Sequence, residues 1–346
     1  MVKVLAAVNP KRVKVVLASF IILLLILLAI SGCMAKEAEP GHLKVVALPY
    51  LSFATFYIPQ EEGYFAEQGL EVEFVKFPTV TQAMPLLAEG SLDVAAGPVS
   101  ASLINGTAQN MKLRIVAGRE YIAPVGETLS LMVRRDLYES GELDTLAKMK
   151  GKKVATASVG SLLDFGLAKI LETANLTPKD VAITVIPPQD TVAAFENRAI
   201  DAAIVGQPQL EQLKTLGYAV TLEAFNNLMP GFEQGFVMFG PSLLDDKVDL
   251  GKKFIVAYLQ GCRQYAQGKT TRNVEILEKY TGLDEKTILQ SYWSPIYPDG
   301  RINTADILYF QDWLYDSGLV DKKVTAEQLI DTTFIDYANG VLGPAQ

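Results

Sequence analysis

Histidine and cysteine are scarce in this sequence. One histidine, His42, and two cysteines, Cys33 and Cys262, occur in 346 residues. This count excludes a metal site built from clustered histidine and cysteine ligands. It also argues against a serine or cysteine hydrolase, because such enzymes use a histidine base and His42 is predicted to lie outside the folded part.

Basic residues are fewer than acidic residues in this sequence. The chain carries 31 basic and 39 acidic residues, for a net charge of −8. All four charged residues among the first 32 are basic, so the remainder has 27 basic residues against 39 acidic ones, a net charge of −12. Phosphate neutralisation needs a basic face, and no basic run exists beyond the N-terminus. We therefore predict no binding of nucleic acid.

The N-terminal segment has one long hydrophobic run, Val15–Ile30. It contains no charge, follows Lys11, Arg12 and Lys14, and precedes Ser31-Gly32-Cys33. A membrane span needs roughly 20 apolar residues, so this run is short for an anchor. A basic start, an apolar centre and small residues at the end are typical of a secretory signal. Residues 1–32 are predicted to be a signal peptide.

The sequence Ala29-Ile30-Ser31-Gly32-Cys33 resembles the bacterial lipobox. The resemblance implies that Cys33 is lipidated and becomes the first residue of a protein held at the cell membrane and facing away from the cytoplasm. Residues 33–43 are then a tether. An uncleaved anchor and cleavage without lipid remain as alternatives. With Cys33 acylated, Cys262 has no disulfide partner and is predicted to be buried in the core.

After the tether, strand-like and helix-like patterns alternate in two successive series. This order predicts an α/β fold with two lobes, each a mainly parallel sheet flanked by helices, followed by a helical C-terminal part. The predicted boundaries are 44–126 for the first part of lobe 1, 127–227 for lobe 2, and 228–346 for the return to lobe 1 and the C-terminal helices. Two such lobes form a cleft, where ligands of α/β proteins bind.

Three predicted strand-to-helix turns carry small or hydroxyl residues. Backbone N–H groups at such turns can bind an anion or a polar ligand group. Ordinary helix capping is the alternative, and Ser161 with Asp164 fits a capping box. The candidate ligand-binding residues in these turns are Thr79, Thr81, Gly97, Ser100, Ser158, Gly160 and Ser161.

The charges near these turns indicate the type of ligand. Asp164 in a first helical turn would repel a bound oxyanion, and Arg119, the one nearby cation, can pair with Glu120. We therefore predict a flat nitrogen heterocycle or an amine-bearing solute in preference to sulfonate or nitrate. The further candidate contacts are the aromatic residues Tyr50, Phe53 and Phe56, the carboxylates Glu120, Asp164 and Glu233, and the amide of Gln207.

Four stretches carry a family resemblance. They are Gly63–Glu73, Gln82–Ala95, Lys150–Ala155 and Ala193–Ala203, the last followed by Gln207-Pro208. In this order the chain resembles the substrate-binding lipoproteins of nitrate, sulfonate, taurine and thiamine-precursor ABC importers. The resemblance implies a type II periplasmic-binding-protein fold that closes on a small molecule and delivers it to a permease. It also implies that the turn Ser158–Ser161 contacts the ligand.

Other functions compete with transport. A ligand-sensing lipoprotein that acts on a signalling partner remains possible, as does a hydrolase with paired carboxylates. The fungal pyrimidine synthases of the thiamine pathway share the implied fold, and the resemblance to them implies an active-site histidine, a pyridoxal phosphate lysine and a cysteine-rich iron site. This chain has one histidine and no cysteine cluster. We therefore predict a monomeric binding protein that has no enzyme activity and no cofactor.

Overall fold

The computed structural model describes residues 40–77 and 80–345. The predicted signal peptide 1–32, the lipidation site Cys33 and most of the predicted tether lie outside the described residues. Within the described residues, no helix combines the length and the apolar character needed to cross a membrane.

Ten strands occur among the described residues, and they form two five-stranded sheets. In chain order they are β1 (Gly41–Val46), β2 (Leu70–Val75), β3 (Val94–Gly97), β4 (Arg114–Tyr121), β5 (Leu129–Arg134), β6 (Lys153–Thr156), β7 (Ala182–Val185), β8 (Ala202–Gly206), β9 (Ala219–Ala224) and β10 (Glu233–Phe239). The first sheet has the order β2-β1-β3-β10-β4, and the second has the order β7-β6-β8-β5-β9.

Each sheet has one strand that opposes the other four. In the first sheet β10 is antiparallel to both β3 and β4, while β1 pairs in parallel with β2 and β3. In the second sheet β5 is antiparallel to β8 and β9, while β6 pairs in parallel with β7 and β8. The opposing strands are the ones by which the chain enters each sheet from the other. The predicted fold class is confirmed, with mixed sheets in which four of five strands share one direction.

Helices cover both sheets and make up most of the C-terminal part. They are α1 (Ala54–Glu61), α2 (Tyr64–Glu67), α3 (Val80–Ala88), α4 (Ala101–Ala108), α5 (Arg135–Glu139), α6 (Leu162–Glu172), α7 (Thr191–Glu196), α8 (Gln209–Leu216), α9 (Phe225–Leu228), α10 (Val248–Tyr265), α11 (Thr271–Thr281), α12 (Glu285–Gln290), α13 (Thr304–Asp316), α14 (Ala326–Leu329) and α15 (Thr333–Leu342). Such coverage explains why β3 is buried along its whole length.

The N-terminal boundary of the folded part differs from the prediction. Strand β1 begins at Gly41, because its backbone pairs with Leu70 and its neighbours, and Leu43 is fully buried. His42 therefore belongs to a strand and not to a tether. Its side chain is half exposed, and Nε2 lies 3.7 Å from Oε2 of Glu73 on the neighbouring strand.

An aromatic cluster joins helix α6 to helix α13. Phe165 of α6 is fully buried, with its ring centroid 5.2 Å from that of Phe310 and 5.3 Å from that of Trp313. Because α6 follows β6 of the second sheet while α13 follows β10 of the first, this cluster packs the two parts of the fold together. Trp313 is a core residue, and Cys262 on α10 is buried as predicted.

Candidate functional site

A cavity of about 170 Å³ lies between the two sheets. Its walls are the turns that follow strands of both sheets, together with a segment from the C-terminal part. The described residues that line it are Tyr50, Leu51, Ser52, Pro98, Glu120, Thr128, Leu129, Leu162, Leu163, Gly206, Gln207, Pro208, Gln234, Tyr292 and Ser294. This is the position where α/β proteins bind ligands, beyond the carboxyl ends of their strands.

The first sheet contributes an aromatic ring and a carboxylate. Tyr50 and Ser52 belong to the turn that follows β1, and Glu120 lies near the end of β4. Burial raises the pKa of the Tyr50 hydroxyl, so this group stays neutral and can donate a hydrogen bond at ordinary pH. This wall therefore presents a flat apolar face beside an acidic group.

The cation Arg119, which lies next to this wall, is already paired. Nη2 of Arg119 lies 2.5 Å from Oε1 of Glu120, and Nη1 donates to the carbonyl oxygen of Ser52 at 2.6 Å. The guanidinium also lies over the ring of Phe53, 4.7 Å from its centroid. Both charges are largely buried. Arg119 is not among the described residues that line the cavity, and its charge is neutralised by Glu120.

Gly235 makes room for this ion pair. A Cβ atom at Gly235 would lie 2.8 Å from Cγ of Glu120 and 3.0 Å from Nη2 of Arg119. Strand β10, which carries Gly235, runs directly beside β4. A larger residue at this position would displace the pair, and Gly235 also lies where the pairing of β10 with β4 shifts register.

The second sheet contributes hydrogen-bond acceptors. Nε2 of Gln207 donates to the carbonyl oxygen of Glu127 at 2.9 Å, which fixes the amide. Oε1 of Gln207 and Oγ1 of Thr128 are buried and have no partner among the described residues. Buried polar atoms are costly to leave unpaired. Gln207 and Thr128 therefore have unused hydrogen-bonding capacity next to the cavity that they line.

The turn Ser158–Ser161 uses its hydrogen bonds locally. Oγ of Ser161 accepts from the backbone N–H of Asp164 at 3.2 Å and donates to the carbonyl oxygen of Ser158 at 2.7 Å. The carboxylate of Asp164 accepts from the backbone N–H of Gly160 at 2.9 Å, and burial raises its pKa. The turn therefore caps α6, and the next residues, Leu162 and Leu163, reach the cavity.

Glu233 occupies a separate buried position beside the site. It is 1% exposed at the start of β10, and Oε2 accepts from the backbone N–H of Asn303 at 2.5 Å. Its own N–H donates to Oδ2 of Asp306 at 2.8 Å. Burial, with a further contribution from the Asp306 carboxylate, raises the pKa of Glu233 to about 8. Its neighbour Gln234 lines the cavity instead.

Eleven of the fourteen predicted site residues fall into three groups. Tyr50, Glu120 and Gln207 line the cavity. Phe53 and Phe56 are buried in the core, where Phe56 packs 5.3 Å from Tyr258, so the structure does not place them in the lining. Gly97 ends strand β3, and the residues that form turns or helix starts near the lining are Ser100, Ser158, Gly160, Ser161 and Asp164.

The structure describes the predicted turn after β2 only in part. Thr79 lies outside the described residues, and Thr81 is placed only as part of helix α3. Ser100 caps helix α4 by accepting from the backbone N–H of Leu103 at 3.4 Å. The hydroxyl therefore serves as a helix cap, which was the alternative to ligand binding predicted for this turn.

Tyr292 and Ser294 are lining residues that the sequence did not indicate. They lie more than 160 positions beyond Glu120, in an irregular segment between α12 and α13. No helical or strand periodicity marks this segment. A cluster of aromatic and proline residues, Tyr292 to Pro298, was the one available signal.

Comparison with known proteins places the chain in a family. The sequence profile described as the NMT1-like family matches residues 36–231, more than half of the chain. A Bacillus subtilis (strain 168) protein named "Putative aliphatic sulfonates-binding protein" is 25% identical over 337 residues, covering 92% of this chain and 96% of that protein.

Solved structures share the fold at low sequence identity. The nitrate-binding protein NrtA from Synechocystis PCC 6803 has a TM-score of 0.72 at 17% identity, covering 89% of this chain and 90% of that chain. The alkanesulfonate-binding protein SsuA from Xanthomonas axonopodis pv. citri, bound to MOPS, has a TM-score of 0.70 at 18% identity, covering 86% of this chain and 100% of that chain. A desulfurization enzyme, DSZB, also has this fold, with a TM-score of 0.65 at 11% identity over 87% of this chain and 99% of that chain.

These similarities agree with the resemblance found in the four sequence stretches, and the predicted relationship to nitrate and sulfonate substrate-binding proteins is confirmed. The chain belongs to the NMT1-like family.

Proposed function

We propose that this protein is the extracytoplasmic solute-binding component of an ABC importer. It would capture a small molecule between a lobe formed by residues 44–126 and 228–346 and a lobe formed by residues 127–227, and deliver it to a permease. The observation that carries this proposal is the cavity whose walls come from both sheets. A ligand there contacts both lobes at once, so its binding favours the closed arrangement. The binding proteins among its relatives support the same role.

The cavity size suits a compact ligand. Its volume is about 170 Å³. An engineered apolar cavity of about 150 Å³ holds a benzene molecule. The site therefore suits a single-ring compound or an aliphatic compound of similar volume.

The chemistry of the lining favours a ligand that donates hydrogen bonds. No lysine or arginine is among the described lining residues, whereas Glu120 and the unpaired oxygens of Gln207 and Thr128 are acceptors. The rings of Tyr50 and Tyr292 supply flat faces. These features support an amine-bearing heteroaromatic solute over sulfonate or nitrate, because an anion would meet the Glu120 carboxylate and no free cation among the described lining residues.

Calorimetric titration with 4-aminopyrimidine, taurine, methanesulfonate and nitrate tests the ligand class. We expect binding of the aminopyrimidine and weaker or no binding of the three anion-bearing compounds. Tight binding of taurine, methanesulfonate or nitrate without binding of the aminopyrimidine would contradict the ligand class and leave the transport role standing.

Replacing Gln207 by leucine tests the acceptor role of the amide. We expect aminopyrimidine binding to weaken about tenfold or more, because a donor on the ligand loses its partner. Gln212→Leu is the matched control, since Gln212 is an exposed residue of α8 outside the lining. Equal affinity of the Gln207 and Gln212 variants would show that the amide does not contact the ligand.

The positions of the cysteine and the histidine among the described residues support a role in binding and not in catalysis. Cys262 is fully buried, and burial raises its pKa to about 12, so its thiol is not a nucleophile at ordinary pH. His42 lies on strand β1 and does not line the cavity. The lining therefore presents neither a histidine base nor a thiolate among the described residues.

A lipid on Cys33 would keep the binding protein next to its permease. We expect Cys33→Ala to leave ligand affinity unchanged in purified protein, because the described residues that line the cavity begin at Tyr50. The same variant should reduce uptake in cells and release the protein from the membrane fraction. A Cys33→Ser variant should behave identically, and loss of affinity in either variant would count against a purely anchoring role.

A further inference from the structure

Residues 291–297, here called the strap, connect α12 to the loop before α13 and cross the end of the cavity next to the first sheet. Tyr292 and Ser294 of the strap line the cavity. Neither residue belongs to a strand-end turn. The strap therefore forms a wall that comes from the C-terminal part of the chain.

Hydrogen bonds fix the strap on both sides of Tyr292. Nζ of Lys269 donates to the carbonyl oxygen of Ser291 at 2.7 Å. The hydroxyl of the buried Tyr265 donates to the carbonyl oxygen of Ser294 at 2.9 Å, and the backbone N–H of Tyr121 donates to the carbonyl oxygen of Pro295 at 3.0 Å. The Tyr265 ring also stacks on Trp293, with centroids 5.2 Å apart. Tyr292 thus projects from a backbone that is held in place.

The ring of Tyr292 lies against Gly126. This glycine belongs to the first crossing between the sheets, residues 122–128, and has a φ of +91°. A Cβ atom there would lie 2.3 Å from Cε2 and 2.7 Å from Cδ2 of Tyr292. The ring therefore fills the space that a side chain at position 126 would take.

We propose that Tyr292 is the specificity-determining wall of the cleft: held by the strap and packed on Gly126, its ring limits the size of the ligand that the closed cleft accepts. This inference rests on the proposed solute-binding function. The ring lies against Gly126 of the crossing and also lines the cavity. Removing it therefore enlarges the cavity and removes the packing that restrains the crossing.

Tyr297 provides the matched control. It lies on the same strap and stacks on Tyr121 with ring centroids 4.5 Å apart, but it is not among the lining residues. Loss of its ring removes an aromatic contact of the strap without changing the wall of the cavity. A general loosening of the strap would affect both tyrosine positions.

The first test compares ligands of different size. Titrations use 4-aminopyrimidine and its 6-ethyl derivative, with methanesulfonate and butanesulfonate as a second pair. We expect Tyr292→Leu to shift the affinity ratio at least about tenfold toward the larger member of whichever pair the wild-type protein binds. Tyr292→Phe and Tyr297→Leu should keep the wild-type ratio. An unchanged ratio in Tyr292→Leu, or an equal shift in Tyr297→Leu, overturns the inference.

The second test needs no ligand. Thermal unfolding is measured for Gly126→Ala, Tyr292→Leu and the double variant. The strain of alanine at positive φ is present in both backgrounds and cancels, so the cycle isolates the clash with the ring. We expect Gly126→Ala to lower the melting temperature by at least about 3 °C more in the wild-type background than in the Tyr292→Leu background.

The two tests separate the inference from the proposed function. Absence of coupling between positions 126 and 292 overturns the inference whatever ligand binds. If the wild-type protein binds neither pair, the proposed ligand classes fail, and the unfolding cycle still decides whether the ring restrains the crossing.

Discussion

Glu120→Ala is expected to destabilise the protein by about 3–5 kcal/mol, because it leaves a buried guanidinium without its counter-ion. The side chain of Arg119 is 4% exposed, and Nη2 lies 2.5 Å from Oε1 of Glu120. Its remaining contacts, to the carbonyl oxygen of Ser52 and to the ring of Phe53, carry no full negative charge. The same change should weaken ligand binding, since Glu120 lines the cavity.

Denaturant unfolding of three variants checks this expectation. Asp245→Ala breaks an exposed pair, in which Nζ of Lys112 lies 2.6 Å from Oδ2 of Asp245, and should cost less than about 1 kcal/mol. The double variant Arg119→Met with Glu120→Leu removes both charges and should recover much of the loss. A cost for Glu120→Ala no larger than that for Asp245→Ala would show that the buried cation is not dependent on this carboxylate.

Glu233→Gln is expected to stabilise the protein increasingly as the pH rises. Burial raises the pKa of Glu233 from 4.5 to about 8. Between these two values the folded protein keeps a proton that the unfolded chain has released, so the stability of the wild-type protein falls as the pH rises through this range. Glutamine keeps a neutral side chain at all pH values. The free energy of unfolding of the variant, relative to that of the wild-type protein, should increase by about 2–4 kcal/mol between pH 5 and pH 9.

Burial sets the sign of this effect, and the groups that face Glu233 act on its pKa in both directions. Asp306 of α13 and Asp299 raise the pKa, whereas the backbone N–H of Asn303 and the charge of Arg301 lower it. Unfolding free energies of the wild-type protein and the variant at several pH values provide the measurement. Glu89→Gln, at an exposed glutamate after α3, should show no comparable trend. A stability difference that is constant from pH 5 to pH 9 would mean that Glu233 titrates normally.

Some features of the site could be predicted from the sequence because they depend on local order along the chain. Tyr50 follows β1 of the first sheet and Gln207 follows β8 of the second, so each lies beyond the carboxyl end of its strand, where α/β proteins bind ligands. The pairing of Arg119 with Glu120 was one of the alternatives, because adjacent residues on a strand end can meet around its edge. The structure adopts that pairing.

Other features depended on contacts between distant parts of the chain. Phe53 and Phe56 were predicted to line the cleft, yet both are buried. Phe56 packs against Phe254 and Tyr258 of helix α10, which begins more than 190 residues later, and Phe53 lies under the guanidinium of Arg119. Tyr292 reaches the cavity because Tyr121 and Tyr265 hold the strap. No local pattern reports such contacts, since the strap accepts both hydrogen bonds through backbone carbonyl groups, which every residue carries.

The sequence by itself determined the family, the alternation of strands and helices, the scarcity of histidine and cysteine, and the acidic charge. These properties follow from residue identity and short-range periodicity. Only the tertiary structure decided which side chains line the cavity, that Arg119 is neutralised by Glu120, and that Gly126 lies under the ring of Tyr292. The physical reason is that the burial and the charge pairing of a residue depend on which distant parts of the chain pack against it.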